Sequence, residues 1–73
     1  MEYNELSKNF GFRLKILRMK KNMTQAMLAE ILGWQENYLS EVERGKINVT
    51  LKTINKIAAA LDIEEQKLFD FKD

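Results

Sequence analysis

Apolar residues recur along this chain at helical rather than strand spacing. Leu6, Phe10, Leu14 and Leu17 are separated by four, four and three residues, with Lys8, Arg13, Lys15, Arg18, Lys20 and Lys21 set between them. This predicts a first helix over about 6–21, closed at Asn22, a residue that tolerates the left-handed backbone of a helix end. Thr24 then stands as an N-cap before Met27, Leu28, Ile31 and Leu32, a two-turn helix over 25–32 that Gly33 ends. Tyr38, Leu39 and Val42 mark a third helix over about 36–44, with Gly45 placed where a left-handed residue is wanted. Thr50 caps the clearest element, in which Leu51, Ile54, Ile57, Ala58 and Leu61 repeat. Asp62 and Ile63 form a tight turn, and 64–69 supply a fifth short helix whose Leu68 and Phe69 can dock on the core. The expected fold is all-α, five helices in one domain covering 1–73.

Composition narrows the chemistry. Seventy-three residues, 45% of them apolar, support one small core and no second domain. The absence of cysteine excludes disulfides and thiolate metal sites, and the absence of histidine removes the commonest general base and zinc ligand. No spaced carboxylate pair converges on a site either, so no catalytic residue, metal or cofactor is expected. No apolar run approaches the roughly 20 residues needed to span a bilayer, and Met1 is followed by acidic Glu2. A cytoplasmic location and no membrane partner are expected. The net charge of +1 is uninformative, but its distribution is not: residues 1–29 carry +4, 30–45 carry −3, 46–60 carry +3 and 61–73 carry −3.

Two short helices at 25–32 and 36–44, joined through a glycine-containing turn, have helix-turn-helix spacing, which many helical bundles share. The residues are more specific. Phe10-Gly11-Phe12-Arg13-Leu14-Lys15-Ile16-Leu17-Arg18, Met23-Thr24-Gln25-Ala26-Met27-Leu28-Ala29, Leu32-Gly33-Trp34, Leu39-Ser40-Glu41-Val42-Glu43-Arg44-Gly45, Leu51-Lys52-Thr53-Ile54, Ile57-Ala58-Ala59-Ala60-Leu61 and the closing Leu68-Phe69 stand in the order seen in the Cro and phage-repressor type of helix-turn-helix family, which the chain resembles over about 10–69. The resemblance implies a compact five-helix, lambda-repressor-like domain, usually dimeric on double-stranded DNA, that sets its third helix into the major groove and regulates transcription in a bacterium or phage.

Carried over residue by residue, the resemblance places base contacts at Gln35, Glu36, Asn37 and Glu41. Gln and Asn can pair with adenine N7 and N6, whereas Glu accepts from the cytosine amino group. Two acids here depart from the commoner pattern and oppose phosphate. Phosphate contacts are expected from Gln25, Arg44, Lys46, Asn48 and Lys52, with Gln25 also bracing the third helix. Arg18 is expected to pair with Glu43, tying the first helix to the third. Ala29 sits where helices 2 and 3 approach closely.

Ile63 and Phe71 are expected at a homodimer contact, because the C-terminal apolar residues exceed what two helical turns can bury. Phe12, Ile16 and Met19 form a second apolar stripe on the first helix, where the family shows polar residues. Either Tyr3 and the N-terminal residues or Phe71 folds over this stripe, or it meets a protein partner. Two functions therefore compete: a DNA-binding transcriptional regulator, such as a restriction-modification controller or phage repressor, and a protein-interaction module such as an antitoxin.

Overall fold

In a computed structural model, which describes residues 1–72, the chain forms helices α1 (Tyr3–Lys20), α2 (Gln25–Leu32), α3 (Glu36–Glu43) and α4 (Leu51–Leu61), followed by a 3-10 turn at Glu65–Phe69. One device ends all four helices. Asn22, Gly33, Gly45 and Asp62 each adopt a left-handed backbone, with φ of 59°, 73°, 77° and 56°. The next residue's N–H then reaches back to a carbonyl in the last turn: Met23 to Arg18, Trp34 to Ala29, Lys46 to Glu41 and Ile63 to Ala58, at 2.8–3.2 Å. These are Schellman closures, which satisfy carbonyls the helix would otherwise leave unpaired. Glycine takes this conformation without steric penalty, and Asn and Asp are the side chains that tolerate it best. At the other end, the hydroxyls of Thr24 and Thr50 accept from the N–H groups of Met27 and Thr53, both at 3.1 Å, and start α2 and α4.

The core gathers Phe10 and Leu14 from α1, Leu28, Ala29 and Leu32 from α2, Leu39 and Val42 from α3, and Ile54, Ile57, Ala58 and Leu61 from α4. Leu68 of the C-terminal turn completes it. Helix α1 packs on α3 and on that turn, and α2 packs on α3 and α4.

Two expectations need correction. The segment expected as a fifth α-helix is a 3-10 turn, in which the N–H of Lys67 bonds the carbonyl of Glu64 at 3.1 Å. With only five residues between the reversal at Asp62 and Leu68, the tighter winding brings Leu68 into the core. Helix α1 begins three residues earlier than its apolar period does. Not every periodic apolar residue is core, either: Met27 and Ile31 face out from α2, and Leu51, in the first turn of α4, is 84% exposed. Helix α2 has neighbours on one side, so Leu28 and Leu32 use that side and the residues preceding them do not.

Candidate nucleic-acid interface

Helix α3 is held by polar groups inside the fold and presents polar groups outside it. Glu43, in its last turn, is buried, as is Arg18 of α1. Arg18 Nε donates to Glu43 Oε2 at 2.7 Å and Arg18 Nη2 donates to Oε1 at 3.2 Å, a two-point pairing of planar groups. Arg18 Nη1 donates to the Met23 carbonyl at 2.6 Å, and Gln25 Nε2 donates to Glu43 Oε1 at 2.9 Å. A carbonyl from the turn after α1 and an amide from α2 thus converge on a charge pair shared between α1 and α3. Among the described residues no buried side-chain nitrogen or oxygen lacks a partner, which is the condition under which a buried ion pair is tolerated.

The approach of α1 to α3 depends on Gly11. A Cβ there would lie 2.5 Å from the Val42 carbonyl oxygen and nearer still to that of Glu43, so only glycine lets the helices meet. Ser7 Oγ adds a hydrogen bond to the Gly45 carbonyl at 2.8 Å. Gly11 enters the sequence reading only as part of the family-like run 10–18, and Ser7 not at all, since their packing roles involve residues more than 30 positions away.

Gln35 is the N-cap of α3 by its extended backbone, but its side chain does not fold back onto the helix. Gln35, Glu36 and Asn37 are all exposed on the first turn, and Glu41, one turn further on, is half-buried. Arg44, Lys46 and Asn48 follow in the exposed segment after α3, and Lys52 lies in the first turn of α4. Gln25 stands at the start of α2, half-buried, with one amide N–H committed to Glu43. Trp34 meets Tyr38 edge-on with ring centroids 4.9 Å apart, bracing the turn against α3. Trp34 also lines an open cleft of about 450 Å³ with Lys52, Thr53, Asn55 and Lys56.

The expected dimer residues have partners within the chain. Ile63 is half-buried against the core, and Phe71 meets Phe69, which in turn meets Phe10, at centroid distances of 6.3 and 5.4 Å. Among the described residues, no group of acidic side chains could hold a metal ion, and no helix is long and apolar enough to cross a membrane.

Comparison with known proteins extends the likeness beyond the motif. The chain is 38% identical over 69 residues to the control protein C.BamHI of Bacillus amyloliquefaciens, covering 93% of this chain and 85% of the relative. It is 37% identical over 67 residues to the control protein C.MunI of a Mycoplasma species, covering 90% of each. The fold matches the crystal structure of the restriction-modification controller protein C.AhdI from Aeromonas hydrophila with a TM-score of 0.80 and 47% identity, over 85% of this chain and 94% of that one. The helix-turn-helix family model matches residues 14–68, well over half of the chain. The chain therefore belongs to the helix-turn-helix family of the Cro and phage-repressor type, a family of DNA-binding transcriptional regulators.

Proposed function

We propose that this protein is a sequence-specific transcriptional regulator that binds a palindromic operator in double-stranded DNA as a homodimer, with α3 in the major groove. The observation that carries this reading is the bracket of Arg18, Gln25 and Glu43 behind α3, which leaves Gln35, Glu36 and Asn37 exposed on its leading turn. A recognition helix must be rigid to read base edges, because a misplaced donor loses its hydrogen bond to the base. Gln35 and Asn37 suit adenine, while Glu36 and Glu41 suit the amino group of cytosine. Arg44, Lys46, Asn48 and Lys52, with the second amide N–H of Gln25, would hold the phosphates that flank the groove. Ile63 and Phe71 would lie at the dimer contact, setting the two α3 helices roughly 34 Å apart, one turn of DNA. The likeness to control proteins supports a controller of a restriction-modification system. The protein would act in the cytoplasm by binding, without catalysis or cofactor.

Titrating selected and scrambled duplexes at two salt concentrations tests the assignment. Lys46→Ala should weaken both duplexes alike and lower the salt slope by about one. Glu36→Ala should weaken the selected duplex by roughly 1–3 kcal/mol while scrambled duplex binds as well or better, since one repulsive charge has gone. Failure of the parent protein to bind either duplex at low salt would remove the regulator reading.

A further inference from the structure

The outward side of α1 is the reverse of an ordinary solvent face. Phe12 is 60% exposed and Met19 53%, with half-buried Ile16 between them, one ridge at helical spacing on the side opposite Phe10 and Leu14. Phe71 comes up beside this ridge but does not cover it. Between Phe12, Ile16 and Phe71 it leaves a notch of about 70 Å³, which Asn9 and Arg13 also line. Lys8 and Lys15 run along one flank and Lys20 closes the far end, all exposed. Glu5 is the single acid of α1, and among the described residues no acidic side chain is paired with these lysines.

We infer that this face is a docking surface for an acidic amphipathic helix of another protein, its apolar side chains on Phe12, Ile16 and Met19. Three observations select that occupant. An apolar ridge between lysines offers a nucleic-acid backbone nothing along its centre, whereas an amphipathic helix with acidic flanks meets ridge and lysines together. The notch beside the ridge, where Asn9 and Arg13 join Phe12, Ile16 and Phe71, has room for about one side chain and offers it both apolar and polar walls. The chain's own tail also shows the type: residues 61–73 carry five acids against two lysines, and from that stretch Phe71 reaches the ridge. The surface is separate from the reading turn of α3, since α1 meets α3 at Val42 and Glu43, at its opposite end. Lys8 packs on Gly45, between Arg44 and Lys46, so duplex binding and peptide binding are titrated separately for each variant.

The probe is a fluorescein-labelled 18-residue synthetic helix with leucines on one face and glutamates on its flanks. Its control carries lysines in place of the glutamates. Anisotropy should show saturable binding of the acidic peptide alone, weakened at least tenfold by Phe12→Ser and by Lys15→Glu. Melting and duplex binding of both variants should match the parent within twofold, which separates loss of docking from loss of fold or of DNA binding. No saturable binding, equal binding of the two peptides, or variants that bind like the parent would each overturn the inference. So would tight binding to phosphatidylserine vesicles that both variants abolish, which would make the face a lipid surface. Weaker self-association of Phe12→Ser in sedimentation would assign the face to a second copy of the chain instead.

Discussion

The two sides of α1 invert the usual distribution of polarity. Toward α3 it sends Ser7, Gly11 and Arg18, a hydroxyl, a bare backbone and a charge, and all three are engaged at close range. Toward solvent it sends Phe12, Ile16 and Met19. The difference shows what each kind of contact can specify. Apolar burial favours any arrangement that hides enough surface, while a buried charge with fixed partners is satisfied in one arrangement only. The side that must hold α3 at a set angle uses the second kind.

The strongest break of this comparison is to remove one member of the charge pair. Arg18→Met leaves Glu43 buried with only the Gln25 amide, and Glu43→Ala leaves the guanidinium without its carboxylate. Each should destabilise the fold by roughly 3–5 kcal/mol, a large share of the total stability of so small a domain. A thermal melt should fall by more than about 10 °C. Variants melting within a degree or two of the parent would show the pair to be solvated. Gly11→Ala attacks the same junction through the backbone. Its methyl group must displace the carbonyls of Val42 and Glu43, which cannot rotate away as a side chain could. A loss of about 1–3 kcal/mol is expected from such overpacking. Because α3 must shift to relieve the clash, Gly11→Ala should also weaken selected duplex more than scrambled duplex, which a titration against both can read.

What was legible beforehand divides along the same line. The helix ends could be read locally, because Asn22, Gly33, Gly45, Thr24 and Thr50 act on groups within a few residues of themselves. The placing of Arg18 beside Glu43 came from family likeness, since residues 25 positions apart carry no local mark of their pairing. Gly11 gave no warning for the same reason: a glycine inside a helix reads as a small penalty until the carbonyls it admits are known. The α-helical reading of 64–69 failed because a run of six residues has too few periods to distinguish α from 3-10 winding. The outward turn of Leu51 and Ile31 was hidden because periodicity gives the spacing of a face but not which neighbours exist to cover it.

On the solvent side the comparison predicts little effect on folding. Phe12→Ser removes a ring that is mostly in water already, so stability should change by no more than about 0.5 kcal/mol. A chemical denaturation midpoint close to the parent's would confirm that the ridge does not hold the fold together. A loss above 1 kcal/mol would mean that Phe71 covers it more fully in solution.

The smallest effect belongs to the C-terminal turn, and it is best seen through pH. The Glu65 carboxyl is held below the usual glutamate value of 4.5, first by a hydrogen bond from its own backbone N–H at the start of the turn and second by the Asn55 amide, which donates to Oε2 at 2.7 Å. Both partners are donors, so they favour the charged form. The unfolded chain offers neither, so Glu65 binds its proton there at higher pH than in the fold. The stabilisation is therefore complete above the ordinary glutamate value and is lost as pH falls from there through the lowered value of the folded state. The group is fully exposed, and water screens the interaction, so it should rank below every change above. Glu65→Gln isolates it. The parent should melt slightly above the variant at pH 7, and that gap should narrow steadily as pH is lowered below 4.5. Asn55→Ala should narrow the gap at pH 7 without abolishing it, because the backbone N–H remains the larger of the two causes. A gap that does not narrow at all below pH 4.5 would show that the carboxylate charge contributes nothing to docking the turn on α4.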